Sequence, residues 1–210
     1  MKNYIKDYCG DFQFNFIEHI SKVISNISIN IDVYEAQKTI DGIINHKEKA
    51  LISLTKGNLK YNCELFDEHN YESCFFKIEL SGRSYLLFRK TLYGFTLIDS
   101  EALLEFYDYT PKAMETNEES FIITDVKQIG DFLVFEGCYW GCPYECFAFD
   151  FNKKLFVNVS NYLGVSSLDK TEIKDNKLIL TGTSNNVSIA KEINQDEIAT
   201  IIDKQGQAEI

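Results

Sequence analysis

Cys138, Cys142 and Cys146 stand four residues apart in and just beyond the stretch GCYWGCPYE, residues 137–145, which also holds the only tryptophan and one of two prolines. Thiols at this density raise two chemistries. Zinc needs four donors, and zinc loops use two-residue gaps that bring both sulfurs of a pair to one ion. The spacing here is wider, and Cys146 falls in an expected strand that turns it away from the loop. Cys63, His69 and Cys74 form a second, looser set. A redox pair of Cys138 and Cys142 needs a lowered thiol pKa, and no neighbouring residue supplies one. The expectation is no metal and no cofactor.

Other reactive arrangements fare no better. The chain has no G-x-S-x-G, no G-x-G-x-x-G and no G-x-x-x-x-G-K-[ST]. His19, His46 and His69 are scattered, so a Cys/His dyad would have to assemble in space. Asp125, Glu136 and Glu145 surround one expected unit and have the residue types of an acid/base pair. With 32 acidic residues in the chain, an acidic rim explains them more simply. The chain therefore reads as non-catalytic. The alternative is an enzyme or small-ligand binder using a cleft near Trp140, Tyr144 and Glu145.

Aromatic residues beside carboxylates point elsewhere. Phe106-Tyr107-Asp108-Tyr109 and Tyr139-Trp140 are expected near sheet ends, close to Glu105, Glu118 and Glu119. Such patches suit protein binding. The candidate partner-binding residues are Glu105, Tyr107, Asp108, Tyr109, Glu118, Glu119, Tyr139, Trp140, Tyr144 and Glu145. The formal net charge is −11, and the longest basic runs are the pairs Arg89-Lys90 and Lys153-Lys154. A phosphate backbone would be repelled, so nucleic acid is excluded as a direct ligand. A basic protein would be attracted, because opposite fields steer association.

These residues need elements to position them. Phe16, Ile20, Val23 and Ile27 have helical spacing, and Asp11 is a candidate N-cap, which predicts a helix over 11–28. A weaker helix is expected over 33–44, with Asp32 and Glu35 at capping-box spacing and Gly42 as an interruption. Residues 1–48 thus read as a helical segment packed on a β domain of residues 49–210. Within that domain 13 of the chain's 16 Phe and 9 of its 12 Tyr sit among β-branched residues and short polar turns. Strands are expected at 50–55, 59–66, 74–80, 84–90, 95–99, 104–109, 121–126, 132–136, 146–151, 155–159, 177–182 and 187–193.

The β region repeats itself. KIELSGRSYLLF, from Lys77, lies over TDVKQIGDFLVF, from Thr124, and each copy carries a turn glycine, Gly82 and Gly130, 48 residues apart. Tyr93-Gly94 then matches Trp140-Gly141. After a four-residue insertion Asp99 matches Asp150, with Leu104 and Leu155 five residues on. Ile173–Gly182 is a weaker third copy. A period of roughly 40–50 residues built from short strands predicts antiparallel, propeller-blade-like repeats, as an open or partial propeller or a twisted sandwich. Because Tyr93 fills the Trp140 position in a copy without the cysteines, GCYWGCPYE reads as an elaborated hairpin turn.

Met1–Gly10 lacks the apolar core of a signal peptide, and no window reaches the roughly 20 apolar residues of a membrane span. The expectation is a cytoplasmic chain with free thiols and no membrane partner.

FIITDVKQIGDFLVFEGCYWGCPYECFAFDFNKKLFVNV, residues 121–159, resembles a repeat of uncharacterised bacterial β proteins through its G-C-Y-W-x-C-P-Y-E turn. That resemblance implies no catalytic residues. In overall character the chain is also similar to immunity proteins of contact-dependent inhibition systems. Those are small, acidic, cytoplasmic and non-catalytic, and they neutralise toxins that are often basic nucleases. The resemblance implies a partner toxin domain encoded by a neighbouring gene.

Overall fold

The computed structural model describes residues 12–66, 75–89, 94–109, 122–139 and 142–206. Four antiparallel sheets account for most of them. The first contains β1 (Asn15–Ile24), β2 (Ile27–Ile40), β3 (Ile43–Lys56) and β4 (Leu59–Phe66), in that order. The second runs β5 (Phe75–Leu80), β6 (Arg83–Phe88), β7 (Phe95–Asp99) and β8 (Leu104–Tyr109). The third holds β9 (Ile122–Ile129), β10 (Phe132–Cys138), β11 (Tyr144–Asp150) and β12 (Leu155–Asn158), with sequential strands adjacent. A short helix α1 (Val159–Tyr162) leads to the three-stranded sheet of β13 (Ser167–Lys174), β14 (Lys177–Ser184) and β15 (Val187–Asn194), and helix α2 (Gln195–Gly206) follows. Two compact units result, one of Met1–Ile78 with Ser84–Glu118, the other of Glu79–Arg83 with Glu119–Ile210.

The two expected N-terminal helices are corrected to strands. Helical spacing of Phe16, Ile20, Val23 and Ile27 is genuine, but Ser25 and Asn26 have φ of 50° and 64°. An α-helix needs φ near −63°, so it cannot pass through them. Two positive φ values are instead what a two-residue type I′ hairpin turn requires. Asp41 and Gly42, at 52° and 80°, make the next turn of the same kind. The interrupting glycine of the expected second helix is thus half of an Asp-Gly hairpin signal. Asp175-Asn176 and Asn185-Asn186 repeat the pattern in the second unit.

Between the first two turns, Ile27, Ile29, Ile31 and Val33 alternate with Ser28, Asn30 and Asp32. The isoleucines are fully buried and Val33 nearly so. A period of two sends alternate side chains to one face, so β2 drives a continuous apolar column into the core. Ala50, Ile52 and Leu54 of β3, Leu65 of β4 and Phe75, Leu86, Phe88, Ile98 and Leu103 complete that core. Each buried isoleucine contributes on the order of 1.5–3 kcal/mol. The strands expected at 59–66, 95–99 and 104–109 coincide with β4, β7 and β8.

The second unit has its own core. Ile129, Val134, Ala148, Val157, Leu178, Leu180 and Ile193 pack with Ile198, Ile201 and Ile202 of α2. That helix was not foreseen. Asn194 accepts from the Glu197 backbone N–H at 2.9 Å, and Glu197 accepts from the Asn194 N–H at 2.8 Å, a reciprocal capping box. The signal was present as N-x-x-E ahead of Ile198, Ile201 and Ile202.

The sequence repeat has a physical basis. Asp99 Oδ1 accepts from the backbone N–H groups of Glu101 and Ala102, at 2.8 and 2.9 Å. Asp150 Oδ1 accepts in the same way from Asn152 and Lys153, at 2.8 and 3.0 Å. Each turn then closes on the aspartate's own carbonyl, from Leu103 or Lys154, and each of those residues has positive φ. Asp150 is buried and its bonds to the turn are partly so, and Asp150→Ala removes the acceptor of two backbone donors. It should lower stability by about 1–3 kcal/mol, and Asp99→Ala by less, in urea denaturation.

Gly182 is tighter still. A Cβ there would lie 2.2 Å from the Ser167 carbonyl oxygen and 2.9 Å from Val165 Cγ1. Backbone cannot yield as a side-chain tip can. Gly182→Ala should therefore destabilise the second unit by about 1–3 kcal/mol, read as a lower urea midpoint with an unchanged slope.

Candidate functional site

The candidate residues of the first unit lie on β8, an edge strand. A bulge between its pairings Leu97↔Tyr107 and Ile98↔Glu105 leaves Phe106 between the two registers. Tyr109 stacks on Phe95 at 5.3 Å, and Tyr107 tilts against the same ring at 6.2 Å. Phe95 is itself buried, so both tyrosines are anchored from beneath. The carboxylates are also held. Tyr61 Oη of β4 donates to Glu105 Oε2 at 2.9 Å. Thr96 Oγ1 donates to Asp108 Oδ1 at 2.5 Å. Burial, reinforced by Cys63 and by Glu105, pushes the Tyr61 phenol far above its usual range, so it remains a donor. Burial and then Asp108 raise Tyr107. On the opposite face of β8 from these carboxylates, Leu104 and Phe106 are 66% and 46% exposed, and Phe106 packs on Tyr85.

Tyr61, Phe95 and Thr96 escaped the sequence reading. Tyr61 and Glu105 are 44 residues apart, and no local pattern links them. Glu118, Glu119 and Trp140 lie outside the described residues, as do Tyr93 and Gly141.

In the second unit, β10 and β11 end on the pair Cys138↔Tyr144. Within the connecting segment the Cys142 N–H donates to the Tyr139 carbonyl at 2.9 Å. Tyr144 is exposed, whereas Glu145 is half-buried and accepts from Asn158 Nδ2 at 2.8 Å. Burial, then Glu145, raises the Tyr139 phenol. Asn158 also caps α1 through the Asn161 N–H and accepts from Ser160 Oγ at 2.9 Å. Ser160 in turn accepts from the Cys146 N–H at 3.0 Å. Glu145 is therefore the outer end of a hydrogen-bonded chain that secures the sheet end.

Asp125 and Glu136 do meet, opposite one another on β9 and β10. Lys127 Nζ binds both, and Thr171 Oγ1 donates to Glu136 Oε2 at 2.5 Å. Burial works against the Lys127 charge, but the two carboxylates outweigh it and hold the ammonium above its usual range. Acid/base catalysis needs two carboxyl groups with separated pKa values and access to a substrate. Here a cation clamps them, and Glu145 is engaged elsewhere.

The thiols are dispersed in environment. Cys142 is exposed, Cys138 and Cys63 are half-buried and Cys146 is fully buried. Burial, then Cys142, pushes the Cys138 thiol up, opposite to what a reactive thiolate needs. Among the described residues no group of three or more His, Cys, Asp or Glu is placed to hold a metal ion. His69 and Cys74 lie outside the described residues.

A concavity of about 390 Å³ opens on the polar face of the first sheet, between Asp32, Leu51, Ser53, Asn62 and Glu64. Register explains the cluster. His19, Asp32, Leu51 and Glu64 face one another across β1 to β4, and Ser21, Asn30, Ser53 and Asn62 form the next row. His19 Nδ1 lies 2.7 Å from Asp32 Oδ1, and His46 Nε2 lies 2.6 Å from Glu35 Oε1. Hydrogen bonds from His46, then Gln37, hold the Glu35 carboxyl below its ordinary range. Read as helix, these strands gave no hint of the row. No helix among the described residues is long and apolar enough to cross a membrane.

Two outcomes follow for the cysteines. A thiol reagent should label Cys142 in the folded protein and reach Cys146 only on unfolding, which peptide mapping reads directly. Burial also raises the Cys146 thiol well above its ordinary 9.0. Below that pH both states keep the proton and stability is unaffected. Above it the unfolded thiol ionises and the folded one does not, so stability falls as pH rises. Denaturation midpoints between pH 8 and 10 should decline more steeply for wild type than for Cys146→Ala.

Compared with protein-family models, curated proteins and solved structures, the chain finds no match.

Proposed function

We propose that this chain is a non-catalytic protein-binding module, an immunity protein that neutralises a basic, nuclease-type toxin by covering its active face. The supporting observation is the make-up of β8. Its two carboxylates are exposed, yet Tyr61 and Thr96 fix their positions. Groups already ordered lose little entropy on binding, which favours affinity. On the other face of the same edge strand Leu104 and Phe106 are exposed apolar residues, and the net charge of −11 favours a basic partner. Similarity in size, acidity and character to immunity proteins agrees with this reading, and a cytoplasmic setting is part of the same proposal. The three four-stranded meanders and the three-stranded one are, on the same proposal, blade-like units.

The mechanism is occlusion. Glu105 and Asp108 occupy the path that substrate phosphates would take, while the aromatics anchor the contact. The purified product of the neighbouring gene should bind tightly, and binding should weaken steeply with salt. Replacing Glu105→Gln together with Asp108→Asn should reduce affinity about tenfold or more and flatten the salt dependence, measured calorimetrically from 50 to 300 mM salt. A neighbouring product that does not bind, or unchanged binding by the double variant, would contradict the proposal.

A further inference from the structure

The open edge of β1 is self-complementary, and we infer that it pairs with β1 of a second copy of this chain. β1 bounds the first sheet, and among the described residues its strand partner is β2 alone. Phe12 and Phe14, which lead into it, lie by Lys38, Lys47 and Lys49 of β2 and β3 rather than along that edge. The two-residue turn Ser25-Asn26 makes Ile24 and Ile27 a mutually hydrogen-bonded pair. Alternation then directs the backbone groups of Ile20, Lys22 and Ile24 to β2. Those of His19, Ser21 and Val23 face outward.

An antiparallel pairing about a two-fold axis at Ile20 uses that outward set. His19 falls opposite Ser21 twice, and each such pair can exchange both backbone bonds. The side chains then match by charge and by apolarity. Glu18 falls opposite Lys22 at two symmetric positions. Ile17, at the bulge between Phe16 and Glu18 where the regular ladder ends, lies near Val23 at two more, and these are 51% and 68% exposed. Lys22 Nζ already sits 4.9 Å from the Phe75 ring centroid, which holds that cation on the face Glu18 would share. A two-fold contact must be complementary to itself, and the regular stretch from Glu18 to Lys22 of this strand is. Nothing in the pairing uses β8, so it stands independently of the function proposed above.

The test exploits the symmetry. Sedimentation velocity of the full chain over a 1–500 μM range should show wild type passing from monomer to dimer. Glu18→Lys places lysines opposite lysines, and Lys22→Glu places glutamates opposite glutamates. Each should move the midpoint to about tenfold higher concentration or more. An equimolar mixture of the two variants aligns opposite charges again and should recover the wild-type midpoint as a heterodimer. Circular dichroism of each variant establishes that it is folded, and the mixture controls for any loss of fold in the single variants. A wild-type chain that stays monomeric throughout overturns the inference. So does a dimer that neither substitution weakens, or two weakened variants that fail to associate when mixed.

Discussion

A right-twisted antiparallel strand pair can be joined by two residues only if the backbone there turns left-handed. That constraint organises this protein. Ser25-Asn26, Asp41-Gly42, Asp175-Asn176 and Asn185-Asn186 all meet it with φ between 50° and 80°. Because each such turn fixes the register of its hairpin, it also fixes which side chains face inward. In the first unit the consequence is the isoleucine column of β2. A slip of one residue would bring Ser28, Asn30 and Asp32 into the core and expose Ile27, Ile29 and Ile31. Apolar burial and turn chemistry therefore select the same register.

Legibility in the sequence followed the same physics. β4, β7 and β8 were readable to their ends because polar turn residues punctuate them. The Asp99 and Asp150 turns were readable as a repeat because one side chain does the same work in both, accepting two backbone N–H groups. The first 48 residues misled because isoleucine is frequent enough there to satisfy two periods at once. Phe16, Ile20, Val23 and Ile27 fit a helix, while Ile27 to Val33 fit only a strand. The arbiter was turn chemistry: Asp-Gly and Ser-Asn each between β-branched runs outweigh helical spacing.

The candidate surface was legible in kind but not in construction. Acidic and aromatic residues adjacent on β8 could be seen in the sequence. Their fixing could not, because Tyr61 reaches Glu105 from another sheet and Phe95 supports Tyr107 and Tyr109 from a neighbouring strand. GCYWGCPYE illustrates the converse. Its density of unusual residues attracts chemical readings, yet Glu145, Asn158, Ser160 and Cys146 form a bonded chain whose effect is to hold the end of a sheet together. Burial raises the Cys138 thiol there rather than activating it.

Site-resolved hydrogen exchange of residues 15–56 tests the central claim most directly. If turn-fixed register organises the first unit, the amides of Ile27–Val33, in the sheet interior, are among its slowest to exchange. Those of Ser25-Asn26 and Asp41-Gly42 exchange quickly, dividing the segment at both turns. Continuous protection running through Ser25 and Asn26, with no break between Ile24 and Ile27, would be the signature of a helix and would contradict the account.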